Sequence, residues 1–324
     1  MNRIFIATIF IFIVFVNLAL GAGETLKMQW MGIGARTLAM GNTGTAIIGL
    51  PYASFYNPAS VSARGKFSMA GGNQFLALDR KLYFASLASE ISGGAGIGIT
   101  WVHSSVADVE ARDIDGELFG TIDNGDDAIF FAFAKEFFKK LHIGAGIEYI
   151  QRSIENVSTS TAGFGIGMSY RLESPQITIG ASAQNLLMKL SWNSNDYYGT
   201  GQISNEDLPI VLRAGASFLS NLNDIPLHIC ADVWNGEDDV HYGLGVETTI
   251  FSQPHSSPGD DEDGGKNIPA LILRGGIADG RFSGGAGIFF KVSKILSIGV
   301  DYAIVKEKED LTPRHIIDLS FDRL

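Results

Sequence analysis

From residue 66 to the C-terminus the hydrophobic positions recur with a period of two. Leu141, Ile143, Ala145, Ile147 and Tyr149 alternate with His142, Gly144, Gly146 and Glu148. Ala162, Phe164, Ile166, Met168 and Tyr170 alternate with Thr161, Gly163, Gly165, Gly167 and Ser169. The same holds for Val240 to Thr248 and for Leu296 to Ile304. Side chains point alternately to the two faces of a strand, so this rhythm predicts strands with one apolar face. Fourteen segments carry it: 66–77, 81–91, 94–104, 126–136, 139–153, 157–171, 175–187, 208–219, 225–235, 238–250, 268–278, 281–291, 295–306 and 312–323. Strands of roughly ten residues in even number, with no long apolar helix among them, describe an antiparallel transmembrane β-barrel.

A soluble β-sandwich also alternates apolar and polar positions. The second face decides between them. Here it holds Gly, Ser, Thr and Ala where a water-facing sheet would carry Lys and Glu. Glycine weakens a strand interior, so a face rich in it predicts that something packs closely against it. A lumen filled by another part of the chain meets that need. Aromatic residues Trp101, Tyr149, Tyr170, Tyr242, Phe251 and Tyr302 are candidates for the interfacial girdles of such a barrel.

With the N-terminus on the periplasmic side, the connections sort by length. Those at 92–93, 137–138, 172–174, 220–224 and 292–294 are short turns on one side, and 105–125 and 188–207 are long loops on the other. Short turns inside and long loops outside is the usual asymmetry. The acidic stretch 252–267 breaks it, falling on the short side; either the count is off by a hairpin or that loop has its own task.

The first residues read as a targeting signal. Arg3 precedes an apolar run from Ile4 to Val16, and small residues Ala19, Gly21 and Ala22 follow. That order predicts a secretory signal peptide over 1–22, too short in its apolar core for a comfortable span. Residues 23–65 then form a distinct unit, rich in Gly and Pro and without period two, read as loops with one short helix near Thr37 to Met40 and assigned to the lumen. The barrel is assigned to 66–324.

The run Gly32-Ile-Gly-Ala-Arg-Thr-Leu-Ala-Met-Gly-Asn-Thr-Gly-Thr-Ala, followed by Pro51-Tyr-Ala-Ser-Phe-Tyr-Asn-Pro-Ala-Ser60, resembles the PorV/PorQ family, within the wider group of barrels similar to FadL. The resemblance marks Gly34, Ala35, Arg36, Met40, Gly41, Asn42, Pro51, Tyr52, Tyr56, Asn57, Pro58 and Ala59 as a plug or gate motif. It implies a fourteen-stranded barrel in the cell outer membrane, surrounded by lipid. PorV/PorQ likeness implies a non-catalytic accessory of type IX-like secretion that binds exported cargo or secretion proteins; FadL likeness implies transport of a hydrophobic small molecule. Two positions depart from the family: Leu50 stands where an aspartate is usual, and the chain ends in Leu324 where an aromatic residue is usual. Pro58 fixes its own φ and keeps Asn57 extended, and the Asn57 amide can then serve backbone groups of nearby strands.

No enzymatic chemistry is nominated. The six histidines are scattered, and His142, His228 and His241 fall on the small-residue face, where a hydrogen-bonded role is expected. Gly94-Ala-Gly-Ile-Gly98 lacks the lysine and the following helix of a nucleotide loop. Asp113, Asp115, Asp123, Asp126 and Asp127 are expected in one solvated loop, without calcium-loop spacing. A single cysteine, Cys230, precludes an intramolecular disulfide, and a net charge of −11 argues against nucleic acid. No cofactor or metal is expected.

Overall fold

The computed structural model describes residues 27–63, 67–155, 157–193, 195, 199, 201–222, 225–236, 239–253, 268–293, 295–307 and 311–323. The signal-peptide reading of 1–22, most of the acidic 252–267 stretch and the terminal Leu324 lie outside them.

Fourteen strands close into an antiparallel barrel. They are β1 (Phe67–Phe75), β2 (Lys81–Ile91), β3 (Ala95–Arg112), β4 (Leu118–Phe137), β5 (Leu141–Ile154), β6 (Val157–Glu173) and β7 (Gln176–Leu186), then β10 (Val211–Leu222), β11 (Ile225–Asn235), β12 (Val240–Gln253), β13 (Ile268–Ala278), β14 (Arg281–Ser293), β15 (Leu296–Val305) and β16 (Arg314–Arg323). Between β7 and β10 a separate hairpin, β8 (Lys189–Asn193) and β9 (Ile203–Asp207), stands beside the wall. Closure comes from β1 pairing with β16, from Phe67 opposite Arg323 to Phe75 opposite His315.

The period of two is expressed as a wall with two faces. Ile143, Ile147, Phe164, Ile166 and Met168 point outward and stay about half exposed, while His142, Glu148 and Ser169 point into the lumen and are buried. A closed barrel leaves no free sheet edge in the lipid, which makes an apolar outer belt compatible with a bilayer. The barrel holds fourteen strands, and β12 ends and β13 begins at the same end as the short turns, so the count is not off by a hairpin.

Two connections expected as loops differ. Residues 105–125 are mostly strand: β3 runs to Arg112 and β4 begins at Leu118. Asp123, Asp126 and Asp127 therefore sit on β4, not in a loop; Asp126 is paired with Arg152 at 3.0 Å, and Asp127 accepts from the Trp101 indole at 2.9 Å. Only the Asp113–Glu117 tip is a turn, held by Asp113 accepting from the amides of Asp115 and Glu117. The alternation is lost there because both faces of the ribbon meet solvent, so no face needs to be apolar. Likewise 188–207 contains the β8–β9 hairpin, whose Ser191 carbonyl accepts from Thr159 on β6 at 2.9 Å.

Residues 27–63 form no strand. They fold as α1 (Lys27–Met31), α2 (Ala35–Ala39), α3 (Ala53–Tyr56) and a 3₁₀ turn over Pro58–Ala63. The single helix expected near Thr37 to Met40 is thus α2, shifted two residues towards the N-terminus, and two further short helices accompany it. The α1 helix lies at the long-loop end, where the Gln29 and Asn185 amides exchange hydrogen bonds at 2.9 and 2.7 Å. The 3₁₀ turn reaches the other end, where Ser62 meets His142 at 2.7 Å. Between them the segment threads the barrel interior.

Candidate functional site

The lumen segment and the inner wall fit by backbone contact. A Cβ added to Gly243 on β12 would lie 2.0 Å from the Gly41 carbonyl oxygen, and one on Gly144 of β5 would lie 2.5 Å from the backbone of Pro58 and Ala59. Gly180 and Gly245 are likewise covered by Thr45 and Met40. The glycine-rich face of the strands is therefore where the segment sits. Glycine lets two backbones approach within a distance that any side chain would forbid.

On the β2–β7 side the contacts are neutral. Phe55 packs edge-on against Phe130 and Tyr52 against Phe84, with ring centroids 5.3 and 5.2 Å apart. Asn57 is extended, at φ −155°. Its amide donates to the carbonyls of Thr45 and Met168 and to the Ser169 hydroxyl at 2.9–3.2 Å, while its own oxygen accepts from the Ala59 amide at 3.0 Å. Ser54 meets Thr100 at 2.7 Å, and Ser182 donates to the Tyr56 carbonyl at 2.7 Å. Pro58 and Ala59 lie against Gly144 and Gly167.

Tyr56 ties the segment to itself. Its hydroxyl accepts from the Ile33 amide and donates towards the Ile33 carbonyl and the Asn42 side-chain oxygen, at 2.9–3.0 Å. Gly32 and Gly34 have φ of +76° and +86°, and Gly34 leaves room for the Tyr52 ring. These positions account for the glycine spacing of the motif.

On the β10–β16 side the contacts are charged. Arg36 makes a two-pronged pair with Glu247 of β12, Nε and Nη2 at 2.8 and 2.6 Å. Arg274 of β13 donates to the same carboxylate at 2.7 Å and also to Asp301 of β15. The Ala35 amide donates to Asp318 of β16. The amides of Gly44 and Thr45 both donate to Asp232 of β11 at 2.8 Å. Arg213 of β10 donates to the Gln29 carbonyl and lies between the rings of Tyr56 and Trp234, 5.2 Å from each. Arg314 of β16 donates to the Met31 carbonyl at 3.1 Å and pairs with Glu307. Charge-assisted bonds in a buried lumen are stronger than neutral ones, and costly to leave half made.

Of the motif residues, Gly34, Ala35, Arg36, Met40, Gly41 and Asn42 lie together around α2, and Tyr52, Tyr56, Asn57, Pro58 and Ala59 around α3 and the 3₁₀ turn; Pro51 lines a cavity of about 100 Å³ that also touches Arg36, Asp301 and Asp318. The wall charges that receive the segment are Glu247, Arg274, Asp301, Asp318, Asp232 and Arg213; the alternation puts Asp232, Glu247 and Asp301 on the inner face but marks none of the six as a contact of the segment. One signal could have found them: Asp232, Glu247 and Asp301 interrupt otherwise small faces of their strands. His228 and His241, on the same face, are hydrogen-bonded side chains, near Cys230 and Asp279.

At the long-loop end a second cavity, about 210 Å³, opens between the segment and the wall. Its lining is mixed: Met28, Met31, Leu76 and Val106 are apolar, while Arg80, Ser104, Ser105, Asn124, Asp126 and Arg152 are polar or charged.

No family model matches the sequence, and no curated protein does. Solved structures do match. The Pseudomonas putida toluene transporter TodX aligns at a TM-score of 0.57 and 13% identity, over 90% of this chain and 98% of its own. The Ralstonia pickettii toluene transporter TbuX aligns at 0.58 and 13%, over 90% and 98%. A FadL homologue from Pseudomonas aeruginosa aligns at 0.56 and 12%, over the same shares. At such identity the likeness is one of fold: this chain shares the closed fourteen-stranded barrel architecture of these proteins.

Proposed function

We propose that the protein passes hydrophobic small molecules across the outer membrane, with the 28–62 segment as the gate of the lumen. The observation that carries this reading is the cavity at the long-loop mouth, where Met28 and Met31 of the lumen segment meet Leu76 and Val106 of the wall and make an apolar patch within an otherwise polar lining. An apolar molecule entering there meets the segment first. The segment is held by hydrogen bonds and ion pairs, which can be exchanged, and no disulfide tethers it. The fold supports the same direction, since its solved counterparts include two toluene transporters. No bond chemistry enters this reading; the wall and segment bind, exclude water and yield.

A second reading, an accessory of protein export, draws on the PorV/PorQ-like motifs around Gly34 to Asn42 and Tyr52 to Ala59. Uptake of radiolabelled toluene and laurate into proteoliposomes separates the two. Transport predicts uptake well above protein-free liposomes, and reduced uptake when Met28 and Met31 are replaced by Glu. Absence of uptake for both compounds, with exported proteins retained on the barrel purified from native membranes, would sink the transport reading in favour of the second.

A further inference from the structure

Beyond Val106, which lines the mouth cavity, the β3–β4 ribbon above the barrel is a feature that transport does not use. β2 accompanies β3 only as far as Ser105, and β5 accompanies β4 only as far as Asn124. Beyond those points the two strands pair with each other alone, from Val106 to the tip at Asp113–Glu117 and back. The ribbon therefore leaves the wall at the long-loop end and presents two strand edges with no neighbouring strand among the described residues. Its composition is unusual for a solvated hairpin. Residues 106–123 hold six carboxylates and one cation, Arg112, which is already paired with Glu110 at 2.6 Å. Around the tip, Ile114 and Phe119 are 101% and 71% exposed, and Leu118 is 57% exposed.

Open edges, exposed large apolar side chains and a single sign of charge together describe a docking surface. We infer that this ribbon binds an extended, basic and apolar segment of a partner protein, by strand addition along one edge with the tip side chains as anchors. The charge selects the occupant. A second copy of the chain would bring a ribbon of the same sign, and an anionic lipid surface would repel it. The ribbon also projects past the apolar belt, so lipid tails do not cover Ile114 and Phe119. A partner alternating Lys or Arg with Val or Ile satisfies the edge hydrogen bonds, the carboxylates and the tip at once.

The test uses the full chain in detergent and two immobilised peptides of alternating composition, one Lys/Val and one Glu/Val. Three variants accompany it: D113N/D115N/E117Q, F119S, and a chain with 107–122 replaced by a two-residue turn. The inference predicts binding of the Lys/Val peptide alone, weakened about tenfold or more by either point-variant set and by raised salt, and lost without the ribbon. Equal binding by the ribbon-less chain would overturn it. So would equal binding of both peptides, or ribbon-dependent binding to anionic vesicles or to a second copy of the chain. A photo-crosslinking residue at position 119 in native cells should in addition trap a protein through a basic segment; crosslinks to lipid alone would contradict the inference. Because apolar uptake does not involve the ribbon, the ribbon-less chain should transport as the full chain does, so failure here and failure of the transport reading are distinguishable.

Discussion

The two halves of the lumen segment are held in different ways. Residues 53–62, next to the entry into β1, lie against β2–β7 through aromatic packing and neutral hydrogen bonds. Residues 29–45 are gripped from β10–β16, where Asp232, Glu247, Asp318, Arg213 and Arg314 hold Arg36 and the backbone, with Gln29 and Thr45 at its ends also reaching β7. Neutral packing against glycine is a fixed fit, since the backbones have no side chain to rearrange. Ion pairs are exchangeable: the same carboxylates accept other cations, water or protons at a cost. The comparison assigns anchoring to the later half and movement to the earlier half, nearest the long-loop cavity.

The largest effect is expected from Glu247→Ala. It leaves Arg36 without its carboxylate and Arg274 with Asp301 alone, and removing one partner of a buried pair costs about 3–5 kcal/mol. Protease sensitivity of the first half and single-channel conductance should rise while the barrel persists on heat-modifiability gels; unchanged conductance would break the comparison. Gly144→Val comes next, since it forces Pro58 and Ala59 off the wall. Here folding yield should fall, because the anchor has no alternative seat. Asn57→Ala removes an amide serving three acceptors, and about 1–3 kcal/mol is expected in a thermal or denaturant midpoint. Conductance should change less than with Glu247→Ala. The smallest effect belongs to Asp207→Asn, which breaks only the exposed Lys189 pair on the β8–β9 hairpin. Neither stability nor conductance should move measurably.

Legibility in the sequence followed burial. Where one face of a strand meets lipid and the other a backbone, as at Ile143–Gly144–Ala145–Gly146–Ile147, the period of two is forced and the strand can be read directly. Where both faces meet water, as from Val106 to Ile122, nothing forces a period, and the sequence of a strand there is indistinguishable from that of a loop. The glycine face points to a filled lumen from sequence alone, because glycine in strands needs a close neighbour to explain it. The charge network was not legible as a network. Arg36 and Glu247 are 211 positions apart, and Arg274 reaches Glu247 and Asp301 each across 27. Only barrel closure, with its fixed register, brings those positions to one height in the lumen. The N-terminal motif carries both the cargo and the ligand expectation, and the similar solved structures share the fold while their own names give hydrocarbon transport.

The most direct test of the gate ties each half of the segment to the wall in turn. In a Cys230→Ser background, Ala46→Cys with Ser217→Cys bonds the earlier half to β10, where Ser217 now donates to the Ala46 carbonyl at 3.0 Å. Ser54→Cys with Thr100→Cys bonds the later half to β3, where the two hydroxyls are 2.7 Å apart. Proteoliposome uptake of radiolabelled toluene is then compared in oxidised and reduced protein. The account predicts that oxidation stops uptake in the first pair, restores it on reduction, and leaves the second pair unaffected. Full uptake with the earlier half locked would contradict it.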